Sequence, residues 1–293
     1  MKKVSLIGAP TDIGAGSRGA SMGPEALRVA GIAPVLARHG LEVLDLGNLA
    51  GPANPWLPPV NGYRHLAQVV EWNQTVHDAV HAELRRGRLP VLLGGDHCLG
   101  VGSISAVARH CREANKKLRV LWLDAHADFN TNVLTPSGNT HGMPVACLCG
   151  QGPQELIEIG GAVPALNPKV IRQIGIRSVD DGEKRLVHEA DLDVFDMRFI
   201  DVEAHMQMRV GVHGGQRQFH GVAHAHLVDV AHVEDLQPRL VHEALLARVD
   251  AADADLAHPL GADGGHVAAD LDQRLRAAAA QAGQACRAGC RWG

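Results

Sequence analysis

Over its first two hundred residues the chain alternates short runs of β-branched and aliphatic residues with longer stretches in which apolar positions recur every three to four residues. The short runs Val4 to Ile7, Leu41 to Leu46, Pro90 to Leu93, Leu118 to Leu123, Val170 to Ile176 and Leu192 to Phe195 read as strands. Between them Pro24 to His39, Tyr63 to Arg86 and Leu99 to His110 read as helices, the first with Pro in its opening turn and Gly40 just past its end. Strand and helix in alternation are the pattern of a parallel sheet with crossover helices. The expected fold class is therefore α/β, a three-layer arrangement with a parallel sheet between helical layers, for residues 1–201.

The pattern stops after Asp201. Residues 202–293 contain no Ile, Lys, Ser, Thr, Asn or Tyr, yet hold nine of the eighteen histidines. A segment without most of the residues that cap helices and shape turns is expected to be an aberrant tail lacking a fixed structure. Its last stretch, Leu275 to Ala282, is mostly alanine and could be helical without specifying a partner. The hexapeptide Arg-Leu-Val-His-Glu-Ala occurs at 185–190 and again at 239–244. Around it, from Arg172 against Ala257 to Asp201 against Val228, most facing residues can be encoded by reverse-complementary codons, with Asp181, Asp191, Asp193 and Phe199 failing. The tail thus reads as the antisense strand of an inverted, slightly diverged copy of the same gene, through rearrangement or misassembly; sequencing the locus separates these origins.

Charge and composition narrow the functional class. A formal charge of −4, with 28 Lys and Arg scattered among 32 acidic residues, argues against a nucleic-acid groove. No apolar run approaches a membrane span, and the opening residues turn into Gly and Pro before a signal-peptide core could form, so the expected location is cytoplasmic. The cysteines at 98, 111, 147, 149, 286 and 290 show no paired spacings and are expected to be reduced thiols.

Three motifs carry chemistry. Gly94-Gly95-Asp96-His97 follows the Pro90 to Leu93 run, so His97 should lie at the carboxyl end of a strand, where open α/β sheets place their ligands. Asp124-Ala125-His126-Ala127-Asp128 follows the next strong strand and brings two carboxylates and an imidazole within five residues. Alternation along an extended segment would point Asp124, His126 and Asp128 to one side, around a cation. Carboxylate and imidazole without thiolate suit manganese or a similar divalent ion better than structural zinc. Ser137-Gly138-Asn139-Thr140-His141-Gly142-Met143 is a polar loop that could hold a substrate and relay a proton. The tail histidines, among them His220, His224, His226 and His232, are too irregularly spaced for a specific site.

In order and spacing these motifs, together with Gly175 to Glu183 and the opening Gly8 to Arg28, resemble the arginase branch of the ureohydrolases over about residues 1–201. The resemblance implies an arginase-like topology and hydrolysis of L-arginine to L-ornithine and urea at two Mn2+ ions. His97, Asp124 and Asp128 would bind one ion, and His126 with a bridging Asp124 the other. His141 would be the proton shuttle. Asn130, Thr135, Ser137 and Asn139 would receive the α-carboxylate, and Asp180, with Glu183, the α-amino group. An amino-acid-recognising loop favours arginase over agmatinase or formimidoylglutamase, and the family's homo-oligomers, trimers or hexamers, are the implied partners beside the small-molecule substrate.

The resemblance also exposes a gap. The family's second ligand motif, Ser-Phe-Asp-x-Asp-x-x-Asp-Pro, is not in this sequence, and Val202 to Met208 are compatible in antisense with His-Leu-His-Val-Ser-Phe-Asp. Asp253-Ala-Asp255-Leu-Ala-His258-Pro259 imitates the motif, but no β-rich run delivers it. With only His126 and Asp124 for the second ion, the expectation is an impaired arginase, or a non-catalytic metal-binding remnant. A sheet edge left uncovered would lower solubility.

Overall fold

The computed structural model describes residues 2–197 and the backbone of residues 223–224, all within one unit, Met1–Glu234. In chain order the elements are β1 (Lys3–Ala9), α1 (Gly23–Val29), α2 (Ile32–Arg38), β2 (Glu42–Asn48), α3 (Leu66–Arg85), β3 (Leu89–Gly94), α4 (Gly100–Glu113), β4 (Val120–Leu123), α5 (Pro144–Leu148), α6 (Gln154–Ile157), β5 (Ile171–Ile176), α7 (Asp181–Glu189), β6 (Asp193–Asp196) and β7 (Ala223–His224). Among the described residues every pairing between these strands is parallel. Among the described residues the strands form two hydrogen-bonded groups, β2-β1-β3-β7 and β4-β5-β6.

The layering follows from the two-residue period of the strands. Along β1, Val4 and Leu6 pack with Leu93 of β3 against Leu27, Ile32 and Leu36 of α1 and α2. Ile7 and Ala9, on the opposite face, join Leu92 and the inward stripe Val69, Trp72, Val76 and Val80 of α3. A second cluster joins Val120 and Trp122 of β4 and Ile171 of β5 to Ile104 of α4 and to Val145, Ala146 and Leu148 of α5. Helix α4 contributes to both clusters and so spans the two strand groups.

All six expected strands form, within one or two residues. The helix expected over Pro24 to His39 is broken: Gly31 is left-handed at φ 83°, separating α1 from α2. Pro34 explains the interruption, since it has no N–H to extend a helix running from α1. The helix expected from Tyr63 begins at Leu66, because His65 is itself left-handed at φ 53°. Its buried ring contacts Ile13 O at 2.8 Å and Leu57 O at 3.0 Å, tying the entry of α3 to two loops. Helices α5, α6 and α7 add to the three expected helical segments. Within the segment expected to lack a fixed structure, Ala223–His224 pair with Val91 and Leu92 of β3; backbone pairing along an open strand edge requires no side-chain pattern.

Cys98, Cys111, Cys147 and Cys149 are free thiols, while Cys286 and Cys290 lie outside the described residues. Among the described residues no helix is long and apolar enough to cross a membrane. The Asp253 to Pro259 stretch, the alanine-rich run, the tail histidines other than the backbone of His224, and the facing antisense segment also lie outside them.

Candidate metal centre

His97 opens a short 3-10 turn, His97–Leu99, directly behind β3. The turn is fixed by Asp96, whose buried carboxylate accepts from Cys98 N at 2.9 Å and from Gly14 N at 2.7 Å. Gly95 can only be glycine here, because a Cβ would lie 1.9 Å from Thr11 O. The loops after β1 and β3 are thereby pinned together at the carboxyl ends of the two strands.

Strand β4 delivers the acidic residues, but not by alternation. The strand ends at Leu123, and although Asp124 N still donates to Ile174 O at 3.0 Å, Ala125 O takes both Arg177 N and Ser178 N, and the chain bends. Asp128 is left-handed at φ 50°, a conformation that Asp tolerates better than most residues. That turn carries its carboxylate back toward Asp124, while His126 is left with a side chain 58 % exposed. The one-sided array expected from an extended segment is therefore corrected: Asp124 and Asp128 converge, and His126 stands apart.

The convergence is tight. His97 Nδ1 lies 2.8 Å from Asp124 Oδ2 and 2.7 Å from Asp128 Oδ2. The donor atoms of His97, Asp124 and Asp128 all fall within 4.8 Å of one another. The other oxygen of Asp124 faces the opposite way, accepting from His126 N at 2.9 Å with His126 Nδ1 at 3.4 Å. Behind the cluster Trp122 meets the His97 ring edge-on, with centroids 6.0 Å apart.

The electrostatics are those of an anion-rich cavity. Burial opposes charge on His97, but Asp128 and Asp124 overcome it and push the imidazole up to about 10. Burial also opposes charge on Asp124, yet hydrogen bonds from His126 and His97 hold it well below the usual carboxylate range. Complete burial raises Asp128 despite its contact with His97. Two carboxylates around one imidazole nitrogen thus attract positive charge, by a proton or by a cation.

The residues expected to bind substrate lie in adjoining loops. His141 sits in the 3-10 turn Thr140–Gly142, its backbone N–H donating to Gly14 O at 3.3 Å. Thr135 Oγ1 accepts from Gly138 N at 3.1 Å and Ser137 Oγ from Asn139 N at 3.2 Å, so both hydroxyls shape the loop that carries them. Asn130 donates its amide to Asp180 Oδ2 at 2.7 Å. This joins a residue expected on the carboxylate side to one expected on the amino side. Asp180 also caps α7, accepting from Glu183 N at 2.8 Å. Glu183 is buried, and its Oε1 accepts from Phe129 N at 2.8 Å, next to the left-handed turn at Asp128.

Glu183 makes a pH test available. Burial, reinforced by Asp128 and Asp180, pushes its carboxyl up to about 7 from an ordinary value of 4.5. The folded state then holds a proton that the unfolded state releases, so this group's contribution is fully present below pH 4.5 and lost as pH rises to about 7. Glu183→Gln keeps an acceptor for Phe129 N and removes the titration. Relative to the parent it should gain about 1–2 kcal/mol between these limits, after allowance for partial solvent screening. Urea unfolding at pH 4.5 and pH 8 checks this; a difference that does not change with pH contradicts it.

Sequence reasoning included Asp96 in a motif but missed its bond to Gly14, which is far away in the chain, and it missed Arg64, which donates to Asn139. It also missed the capping role of Asp180, although Asp-x-x-Glu is a helix-start signature and could have revealed it.

Comparisons with known proteins identify the family and the fold. The sequence model of the Arginase family matches residues 2–220. The arginase of Bacillus caldovelox is 40 % identical over 203 residues, covering 69 % of this chain and 67 % of that protein. The arginase of Brucella melitensis is 41 % identical over 197 residues, covering 67 % and 64 %. The native structure of the Bacillus caldovelox enzyme superimposes with a TM-score of 0.65 at 38 % identity, over 69 % of this chain and 67 % of that one. A formimidoylglutamase from Bacillus subtilis, at 22 % identity and a TM-score of 0.51, shares the fold. The chain spans about two thirds of the length of these arginases. With three quarters of its residues matched by one family and a parallel sheet whose strand ends gather the acidic and imidazole groups, this chain belongs to the arginase family.

Proposed function

We propose that the chain descends from an arginase that hydrolyses L-arginine to L-ornithine and urea, and that it keeps one metal position while its second is incomplete. The supporting observation is the convergence of His97, Asp124 and Asp128 on a common point between two strand ends. One imidazole nitrogen and two carboxylates, both buried, fit a manganese-like divalent ion. For a second ion the described residues offer Asp124 Oδ1 and the His126 imidazole, too few donors to hold it tightly.

Bound manganese supplies the acidification of water and the positive field that attack on a guanidinium carbon needs. The protein's own groups do the rest. His141, held at the Gly14 carbonyl, passes a proton to the leaving amine. Asn139, Ser137, Thr135 and Asn130 take the α-carboxylate, and Asp180, backed by Glu183, takes the α-ammonium. Asn130 reaches a carboxylate only in competition with Asp180, so the two together set the spacing of an amino-acid head group.

The test is urea release from L-arginine and from agmatine by the purified full chain, with bound manganese counted. About one ion per chain with little or no urea is expected. Two ions with urea from arginine overturn the view that the site is incomplete, and no bound ion overturns the metal reading itself. A preference for agmatine would favour another ureohydrolase; within the expected result, slow urea release from L-arginine marks an impaired arginase and its complete absence a non-catalytic remnant of one. The arrangement of Asp124, with one oxygen toward His97 and the other toward His126, favours descent from a two-ion enzyme.

A further inference from the structure

Arg64 belongs to neither the metal cluster nor the expected substrate loop, yet it is bonded to that loop at two points. Its Nε donates to Asn139 Oδ1 at 2.7 Å, and its backbone N–H donates to Gly138 O at 2.8 Å. The guanidinium is held from the other side by Leu57 O, which accepts from Nη1 at 2.8 Å. The pair lies beside the loop that anchors His141: a Cβ on Gly16 would meet Asn139 Oδ1 at 3.4 Å and Nδ2 at 3.5 Å, with Arg64 Nη2 at 3.8 Å. Two residues earlier, Gly14 takes the His141 N–H.

An arginine side chain can only donate hydrogen bonds, so the atom that faces it on Asn139 has to be the oxygen. Without such a partner a primary amide can present either end to a ligand, and acceptor and donor interconvert by rotation about the last torsion. With the oxygen committed to Arg64, the two N–H bonds of Asn139 are the ends left to meet a ligand. We propose that Arg64 is a positioning residue that fixes the polarity of the Asn139 amide and so makes this loop selective for ligands with a carboxylate. The inference rests on the reading of Asn139 as a carboxylate-binding residue, and it adds the reason that the loop reads a carboxylate rather than an ammonium.

The guanidinium is suited to this because it is planar and divides its donors between Asn139 and the Leu57 carbonyl. Lysine at 64 retains a donor for Oδ1 on a flexible stem, while methionine retains length and apolar contact without any donor. The two substitutions therefore separate hydrogen bonding from packing.

The experiment measures affinities of the manganese-loaded full chain for L-ornithine and for putrescine, which is ornithine without its carboxylate, by calorimetry. The parent should prefer L-ornithine. Arg64→Met should reduce that preference about tenfold, the effect of one well-placed hydrogen bond on ligand discrimination, with putrescine affinity unchanged. Arg64→Lys should restore most of it. Asn139→Ala should lose the same preference, and the Arg64→Met/Asn139→Ala double variant should lose no more than either alone. A parent that binds neither ligand, or both equally, overturns the amino-acid reading and the inference with it. A parent that prefers L-ornithine while Arg64→Met keeps the ratio, or weakens both ligands alike, overturns the inference alone. Should Arg64→Met not fold cooperatively, Arg64→Lys and Asn139→Ala decide: a preference unchanged in Asn139→Ala overturns the proposal.

Discussion

Asp124→Asn is expected to strip the chain of manganese, lowering its affinity by more than about 100-fold, since loss of supporting groups alone costs 10- to 100-fold. The substitution is nearly isosteric, and the asparagine oxygen can still accept the His126 N–H that Asp124 Oδ1 accepts at 2.9 Å, so the local turn should persist. What disappears is the charge. Asp124 is the carboxylate held most firmly in its ionised form, because two imidazoles bond to it against the opposition of burial. In the proposed reading it is also the group that would face both metal positions, since its Oδ2 lies toward His97 and its Oδ1 toward His126. His126→Ala is the contrast: it should leave the tight ion in place, because His126 is largely exposed and stands outside the converging trio. Metal counted after equilibrium dialysis checks both. Retention of a full equivalent by the Asp124→Asn protein would be fatal to the assignment.

The second large effect lies away from the site. Gly102, in the first half of α4, should not accept alanine: a Cβ there would lie 2.2 Å from Asn73 O, 2.9 Å from Asn73 C and 3.0 Å from Asn73 Cα. All three are backbone atoms of α3, so no side-chain rotation relieves the overlap. The same approach is secured by Gly102 N, which donates to the buried Asn73 Oδ1 at 2.7 Å. Helix propensity alone would make Gly→Ala stabilising by about 1 kcal/mol. The enforced separation of two core helices outweighs that gain, and a net loss of about 2–4 kcal/mol is expected. For a chain of this size that is a fall in Tm on the order of 10 °C. Scanning calorimetry of Gly102→Ala checks it, and an equal or higher Tm would show that the helices do not cross so closely.

The parts of this structure that could be read in the sequence are those whose cause is local. Val4 to Ile7, apart from Ser5, and Pro90 to Leu93 are apolar because both faces of β1 and β3 are covered, and a buried strand announces itself by composition. Helix α5, by contrast, is five residues long and wholly buried, with no polar face and hence no period to detect. The break at Gly31 is present in the residues, but the apolar period runs on through Pro34 and conceals the residue that stops the helix. At the site, the acid and imidazole residue types and their order are legible, whereas their directions are not. Alternation places His126 with Asp124 and Asp128, and the left-handed backbone of Asp128 undoes that expectation. The bonds of Asp96 and Arg64 give no sign because their partners, Gly14 and Asn139, are brought near only by the fold.

Among the described residues the strands fall into two hydrogen-bonded groups, and the converging residues are divided between them: His97 follows the end of β3 in one, Asp124 and Asp128 the end of β4 in the other. An ion held by all three would therefore act as a rivet between the two strand groups. Its capture should knit those two groups into one unfolding event, and a chelator should loosen that link first, so that melting becomes broader before it becomes lower.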